Sequence, residues 1–279
     1  MSTDRIDAHH HVWDLTVRPQ EWTTGLAPLD RSWLLADLEP LLNNCGIDGT
    51  VLVETVNVEP ETAEFLALAQ AHPAVRGVVG WVDLTAPDVS DRIAALRAGP
   101  GGDYLKGLRH QVQLEPDPQW LLRPEVLRGL RAVAASGLAF DLLVKPHQLA
   151  AAVAAVRQVP EGRYVLDHAG KPPIGSDGMR SWTQLLAELA KCGQVACKLS
   201  GLVTEAPAGW QIADLRAAAD HVLASFGPDL VMAGSDWPVC LLAVDYDGVW
   251  ALNRALVAQL SPTERDAALG GCAIAWYQL

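Results

Sequence analysis

Eight short apolar runs of β-type composition recur along the chain, and helix-type segments separate most of them. The runs lie at 5–13, 50–55, 77–83, 105–112, 138–145, 164–168, 195–200 and 230–236. Segments with a helical spacing of apolar positions lie between them at 59–72, 88–98, 147–159 and 212–226. Continuously apolar strands that alternate with amphipathic helices are typical of a parallel sheet covered by helices.

Eight such units within 279 residues favour an α/β fold in which the sheet closes on itself. We therefore expect a single (β/α)8 TIM barrel that spans residues 1–279 as one domain. The alternative is an open, doubly wound sheet. It is weakened because neither GxGxxG nor GxxxxGK[ST] follows the first strand. No linker or low-complexity segment divides the chain.

The charge balance excludes several classes of partner. The chain has 21 basic and 33 acidic residues and a net charge of −12, without a run of lysine or arginine, so we expect no nucleic-acid and no membrane partner. Its five cysteines form no CxxC pair, and no apolar run approaches the roughly 18 residues of a membrane span. Since the N-terminal segment has no apolar signal region, we expect reduced thiols and a cytoplasmic protein.

Polar residues recur where the predicted strands end, and this end of a parallel barrel carries the chemistry. In chain order they are His9 and His11, Glu54, Trp81 and Asp83, Lys106, Arg109 and His110, Asp141 and Lys145, Asp167, His168 and Lys171, Lys198 and Ser200, and Ser235 and Asp236. A set of surface positions would not show this concentration. We therefore expect one shared pocket.

The stretch DAHHHVWD at 7–14 places three histidines in the first strand. Side chains alternate between the two faces of a strand, so His9 and His11 share one face and His10 lies on the other. Two adjacent imidazoles inside an apolar run are costly to desolvate and pack poorly, which favours a functional pair. We expect a structural role for His10.

Two further residues join this pair in the predicted pocket. Asp236 follows the apolar run of the last strand and precedes Trp237-Pro238, although an aspartate there also suits a helix N-cap. His168 lies in the motif LDHAGKP at the end of the sixth strand. Tryptophans at strand ends, Trp81 and Trp237 among them, could form an aromatic wall against a ring-shaped substrate.

Six motifs in order resemble the amidohydrolase superfamily, and within it the branch of sugar-acid lactonases of the L-fuconolactonase and L-rhamnonolactonase type. The motifs are DAHHHVWD (7–14), KGLRHQVQ (106–113), FDLLVKPHQL (140–149), VLDHAGKPPI (165–174), CKLSGLVTE (197–205) and GSDWPV (234–239). The resemblance implies a (β/α)8 barrel hydrolase. It assigns catalytic positions to His9, His11, His168 and Asp236.

The chain departs from the metal-dependent hydrolases of this superfamily at the fifth strand. Where those enzymes place a histidine, this chain reads FDLLV, with Asp141 as the polar residue. His9, His11 and Asp236 remain as three ligands for one divalent metal such as zinc, with an open position for water. The resemblance equally implies a metal-independent enzyme, and both alternatives stay open.

These residues predict hydrolysis of a small lactone, such as an aldonolactone. Attack of water on the ring carbonyl needs a base, which we expect to be Asp236, and groups that polarise the carbonyl, namely His9, His11 and His168. We expect Lys106, Arg109 and His110 to bind substrate oxygens. Alternatives are a zinc-dependent decarboxylase, an amide or ester hydrolase, or a non-catalytic barrel that binds a sugar acid. The sequence leaves the sugar, the lactone ring size and the oligomeric state open.

Overall fold

Eight parallel strands form one sheet in which each strand pairs with the next in chain order. In the computed structural model, which describes residues 4–279, the strands are β1 Ile6–His10, β2 Gly49–Val53, β3 Val75–Gly80, β4 Leu105–His110, β5 Ala139–Leu142, β6 Arg163–Leu166, β7 Val195–Leu199 and β8 Val231–Ala233. The segment after β8 returns to β1. There the amide of Asp236 donates to the His9 carbonyl at 2.8 Å and the amide of His11 donates to the Trp237 carbonyl at 2.7 Å. These bonds close the barrel, so the predicted (β/α)8 fold is confirmed.

Helices follow the strands around the outside of the barrel. They are α1 Leu35–Cys45, α2 Glu59–Ala71, α3 Val89–Ala98, α4 Pro124–Ser136, α5 Leu149–Gln158, α6 Met179–Ala190, α7 Leu202–Glu205, α8 Ile212–Phe226, α9 Tyr246–Leu256, α10 Pro262–Asp266 and α11 Cys272–Tyr277. The predicted helix at 212–226 is confirmed to the residue. The one predicted at 147–159 begins later, because Pro146–Gln148 forms a 3-10 turn before α5. Within residues 4–279, none of the helices is long and apolar enough to cross a membrane.

Two apolar clusters stabilise the barrel. The larger one packs the helices against the outer face of the sheet and buries Trp182 and Trp250 completely or nearly so. The smaller one fills the barrel interior with short side chains such as Val51 and Ala139, and α11 covers its amino-terminal end with Tyr277. The interior is therefore a packed core rather than a pore.

β1 departs from regular alternation just before the histidines. Its pairing register with β2 shifts between Asp7 and His10, which marks a β-bulge. Ala8 packs in the interior cluster, and the bulge turns the next residue, His9, inward as well, so that its Nε2 lies 3.1 Å from Nε2 of His11. His10 points outward, and its Nε2 lies 2.9 Å from a threonine hydroxyl of β2.

The strands end earlier than the predicted runs. β8 ends at Ala233 although its run continues to 236, and β6 ends at Leu166 although its run continues to 168. The residues beyond these ends are the polar ones. They leave the sheet and line the opening of the barrel, where their side chains converge.

Candidate active site

A cavity of about 240 Å³ opens at the carboxyl ends of the strands. Its lining includes the predicted residues His11, His168 and Asp236. A larger, apolar cavity of about 420 Å³ lies between the β1–α1 loop and helices α1 and α2, but Asp236 and the histidines around it do not line it. We place the site in the smaller cavity, because chemistry requires ionisable groups that converge on one point.

Three imidazoles surround one carboxylate oxygen at this cavity. Oδ1 of Asp236 lies 3.7 Å from Nε2 of His9, 3.5 Å from Nε2 of His11 and 3.9 Å from Nε2 of His168. All four side chains are buried, with His11 the most exposed at 5%. The sequence-predicted catalytic residues therefore lie together in space.

Each imidazole is oriented through its other nitrogen. Nδ1 of His11 donates to the carbonyl of Val53 at 2.8 Å, and Nδ1 of His168 lies 2.9 Å from Oγ of Ser200. Nδ1 of His9 lies 3.1 Å from the Lys198 ammonium and 3.3 Å from an Asp167 oxygen. Such partners fix ring orientation and tautomer, and they leave Nε2 of each ring facing Asp236.

The backbone at this site is strained. Five non-glycine residues of the described chain have a positive φ, and four of them are His168 (51°), Ala169 (52°), Lys171 (55°) and Asp236 (58°). A side chain in the left-handed region costs free energy that the surrounding structure must offset. The strain turns His168 and Asp236 towards each other directly after their strands.

A buried ionic layer lies directly beneath the imidazoles. It consists of Glu54, Arg109, Asp141, Asp167 and Lys198, none of them more than 3% exposed. Lys198 lies 2.6 Å from Asp141 and 3.0 Å from Asp167, while Arg109 binds Asp167 at 3.0 Å and Glu54 at 2.7 Å. Each charge has an opposite partner, as burial requires.

The pKa values of the site residues differ from those of the free side chains. Burial alone would raise the pKa of Asp236, but the surrounding imidazoles, His168 foremost, hold that pKa well below its usual range. Burial lowers the pKa of His168 to about 4 and that of His9 well below its ordinary value, with Lys198 adding to the effect on His9. At neutral pH the site therefore presents an ionised carboxylate between these two neutral imidazoles.

The donor set fits a divalent metal ion. His9, His168 and Asp236 offer ligand atoms within 4.8 Å of one another, and Nε2 of His11 joins them at 3.1 Å from His9. Ligand atoms of a tetrahedral zinc site, with bonds of about 2.0–2.2 Å, lie roughly 3.4 Å apart. Because Nδ1 of His11 donates to the Val53 carbonyl, Nε2 of His11 presents its lone pair towards His9 and Asp236 and is available to a metal ion.

Comparison with known proteins identifies the family. A sequence model described as Amidohydrolase matches residues 6–279. The chain belongs to the amidohydrolase family. The "L-fucono-1,5-lactonase" of Burkholderia multivorans is 38% identical over 292 residues, covering 100% of this chain and 97% of the relative. A second protein of that name, from Burkholderia ambifaria, is 36% identical and covers 99% and 96%. The resemblance inferred from the six motifs is confirmed.

Solved structures give the same result for this amidohydrolase. A crystal structure of a Burkholderia multivorans amidohydrolase with bound zinc superposes with a TM-score of 0.94 at 36% identity and covers 99% of each chain. The same protein crystallised with bound HEPES gives a TM-score of 0.93 at 37% identity, again with 99% of each chain covered.

The cavity of this amidohydrolase does not include every residue that the sequence assigned to substrate binding. Lys106 was assigned wrongly. It lies at the amino-terminal end of β4, and its ammonium donates to the carbonyl of Gln278 at 2.9 Å, at the opposite end of the barrel. Arg109 lines the cavity, but its Nε and Nη1 already donate to Glu54 and Asp167, so it holds the ionic layer rather than offering a free fork.

The predicted aromatic wall is also corrected. Trp237 is 0% exposed, and its ring packs on Trp33 with centroids 5.2 Å apart, so no substrate reaches it. Nε1 of Trp81 donates to Nδ1 of His110 at 3.0 Å, and His110 stacks on Trp120 with centroids 4.1 Å apart. Within the described residues, neither Trp81 nor His110 is among those that line the cavity.

Other residues line the cavity that sequence reasoning missed. Trp22, Thr55, Gln111 and Gln113 all contribute to it. Gln111 and Gln113 follow β4 directly within a motif already assigned to the site, so their position alone could have identified them. Trp22 lies on the long β1–α1 loop, and nothing in the local pattern indicates where that loop folds.

Proposed function

We propose that this amidohydrolase opens the ring of a small sugar-acid lactone by hydrolysis. The observation that carries the proposal is the ionised Asp236 carboxylate, surrounded by three imidazoles on the wall of a cavity. Full-length relatives at 38% and 36% identity that are named L-fucono-1,5-lactonase support a lactone as the substrate.

Asp236 acts as the base towards the attacking water. Its Oδ1 faces the imidazoles, and the carboxylate lines the cavity, so its other oxygen, Oδ2, is left for a water there. A water bound at Oδ2 loses a proton to the carboxylate as it attacks the lactone carbonyl. The same proton then passes to the ring oxygen as the acyl–oxygen bond breaks, which releases the hydroxy acid and restores the carboxylate.

His168 stabilises the negative charge that develops on the carbonyl oxygen. Because its pKa is lowered to about 4 by burial, its ring is neutral at pH 7. With the Ser200 hydroxyl donating to Nδ1, Nε2 carries the proton and points into the cavity. A neutral donor of this kind, held before the reaction begins, stabilises the oxyanion without reorganisation.

His9, His11, His168 and Asp236 would hold a metal ion, for which we propose zinc. When bound, zinc supplies Lewis-acid polarisation of the substrate carbonyl. In that state the Ser200 hydroxyl accepts from Nδ1 of His168, since Nε2 must then present its lone pair. The same four side chains therefore serve both forms through a change of tautomer.

A hydrolysis screen with a pH indicator tests the proposal. L-fucono-1,5-lactone and related sugar lactones are offered to metal-free and zinc-reconstituted protein, with the uncatalysed rate subtracted. Acid release above that rate in either sample supports a lactonase, and acid release in the zinc sample alone makes the metal essential. If neither sample releases acid above the uncatalysed rate, the proposal is contradicted. Carbon dioxide release from aromatic acids in the zinc sample would then favour a decarboxylase.

We also propose that residues 1–279 form one domain and that the enzyme works in the cytoplasm. All eight strands belong to one sheet, which supports a single domain. The five free cysteines suit a reducing compartment.

A further inference from the structure

Trp22 is the one tryptophan among the described residues that line the active-site cavity. It lies on the β1–α1 loop and lines the same cavity as His168 and Asp236. Its side chain remains 37% exposed, whereas Trp237 at the strand end is fully buried. A large apolar surface left open beside a catalytic carboxylate indicates contact with a ligand.

The indole of Trp22 is held in place from two sides. Nε1 donates to Oε1 of Gln20 at 2.8 Å, and Nε2 of Gln20 donates to the Thr55 hydroxyl at 2.7 Å. The Thr55 backbone amide in turn donates to Glu61 at 2.7 Å, and both Gln20 and Glu61 are almost completely buried. The ring edge also packs against Trp13, with centroids 5.3 Å apart and planes at 72°.

This arrangement fixes the position of the ring before any ligand binds. A surface tryptophan ordinarily keeps its rotamer freedom, and ordering it costs free energy on binding. Here a buried chain of hydrogen bonds from α2 through Thr55 and Gln20 orders the indole when the protein folds, so binding a ligand does not need to order it. Packing against Trp13 alone would leave the indole nitrogen without this buried partner.

The cations that line the cavity are already paired. Arg109 binds Glu54 and Asp167, and Lys171 binds Glu205 at 2.8 Å. Among the described residues of this cavity, a substrate carboxylate would therefore meet no free positive side chain, and it would lie next to the negative charge of Asp236. The cavity instead suits a neutral ring with hydroxyl groups.

We propose that Trp22 is a specificity-determining residue, on whose indole the apolar face of a neutral sugar-lactone ring stacks, and that Gln20 is its positioning residue. The proposal rests on the proposed lactonase function and names the substrate class of that site. Stacking orients the ring so that its carbonyl faces Asp236. Because the stack forms on binding and persists through the reaction, it contributes mainly to KM.

Steady-state kinetics on L-fucono-1,5-lactone test the proposal with Trp22→Leu and Trp22→Phe. We expect Trp22→Leu to raise KM roughly tenfold, with kcat changed little, and Trp22→Phe to raise it less because a smaller ring still stacks. Trp276→Phe is the matched control, since Trp276 lies in α11 at the opposite end of the barrel. An unchanged KM in Trp22→Leu overturns the proposal.

Gln20→Leu separates positioning from general loop stability. It should raise KM in the wild-type background but have little further effect on KM in Trp22→Phe, which has no indole nitrogen to hold. Equal effects in both backgrounds overturn the role of Gln20. A lactone that bears two carboxylates should show no measurable turnover, and efficient turnover of it would overturn the neutral substrate class.

Failure of the lactonase proposal can be distinguished from failure of the Trp22 proposal. If the wild type hydrolyses no lactone, the lactonase proposal is contradicted. The same sugar lactone is then titrated into wild type and into Trp22→Phe, and binding is monitored by tryptophan fluorescence. This measurement still tests whether Trp22 contacts the sugar lactone. A fluorescence change that Trp22→Phe abolishes supports it, whereas the absence of any difference between the two proteins overturns it.

Discussion

Replacing Lys198 with methionine tests whether the central cation stabilises the ionic layer. Its Nζ lies 2.6 Å from Asp141 and 3.0 Å from Asp167, and all three side chains are buried. In the variant Asp167 keeps Arg109, whereas Asp141 keeps the hydroxyl of Tyr277, which donates to it at 2.7 Å. Removing one partner of a buried ion pair costs about 3–5 kcal/mol, because the remaining charge is left uncompensated.

The cost depends on pH, because Asp141 can take up a proton. Burial raises its pKa to about 6 in the wild type, against the opposing effect of Lys198, and Asp167 adds to the rise. Losing Lys198 raises that pKa further above the ordinary value of 3.8, so the folded variant binds the proton more tightly than the unfolded chain. Its stability therefore falls as pH rises through this range.

The magnitude follows from the cost of neutralising the carboxyl group. At pH 5.5 the Asp141 carboxyl group, whose pKa is about 6, is largely protonated in the wild type as well, so the cost of neutralising it is common to both proteins and little stability is lost. At pH 8 the wild-type carboxylate is ionised, and the variant must either protonate it, at about 2.7 kcal/mol from a pKa of about 6, or bury it without its ammonium partner, at about 3–5 kcal/mol. Lys198→Met should therefore lower the free energy of unfolding by about 2–3 kcal/mol more at pH 8 than at pH 5.5.

Urea unfolding followed by tryptophan fluorescence at both pH values measures this difference. Lys171→Met is the matched control, because Lys171 forms an ion pair of 2.8 Å with Glu205 at the rim of the cavity, with both side chains partly exposed. It should cost at most about 1 kcal/mol, equally at both pH values. A loss below about 1 kcal/mol for Lys198→Met at pH 8, or one that does not change with pH, would refute the reasoning.

Two further substitutions test the positions assigned around the site. Gly201→Ala should reduce kcat and stability together, because a Cβ at Gly201, whose φ is +64°, would lie 2.6 Å from Nδ1 of His168. Gly193→Ala is the control and should leave kcat unchanged, because a Cβ at Gly193 meets no neighbour. Lys106→Met should leave both kcat and KM unchanged in the lactone assay, since Lys106 lies at the far end of β4, and a raised KM would restore its place in the substrate site.

Much of the fold could be predicted because it follows from local periodicity. The helical spacing at 212–226 matches α8 to the residue, and each of the eight apolar runs overlaps an observed strand. Alternation also predicted that His9 and His11 converge, although the bulge in β1 is what brings His9 to the inner face. Polar residues at strand ends located the site for the same reason, since all parallel strands end at one rim.

The position of a residue along its strand explains one error. Lys106 and Arg109 lie in the same run, but three residues at about 3.3 Å each separate them by roughly 10 Å, which is the difference between the two ends of the barrel. Burial explains another, because Trp237 turns away from the opening and packs on Trp33. Strand ends alone therefore do not decide which side chains reach the cavity.

The remaining features could not be read from local sequence. The positive φ of His168 and Asp236 arises from the surrounding structure, because no residue type other than glycine favours it strongly. Trp22 reaches the cavity through the path of the β1–α1 loop and its bond to Gln20, which are tertiary features. Pairing of Arg109 within the ionic layer likewise depends on three separate strands and their ends.

Hydrolysis of L-fucono-1,5-lactone by wild type and by Asp236→Asn tests the central claim most directly. Asp83→Asn is the matched control, because Asp83 follows β3 and accepts from Thr85 without lining the cavity. We predict hydrolysis by the wild type and by Asp83→Asn, and a loss of kcat of about 100- to 10,000-fold in Asp236→Asn with an unchanged far-UV spectrum. Wild-type activity in Asp236→Asn would contradict the claim that Asp236 is the base.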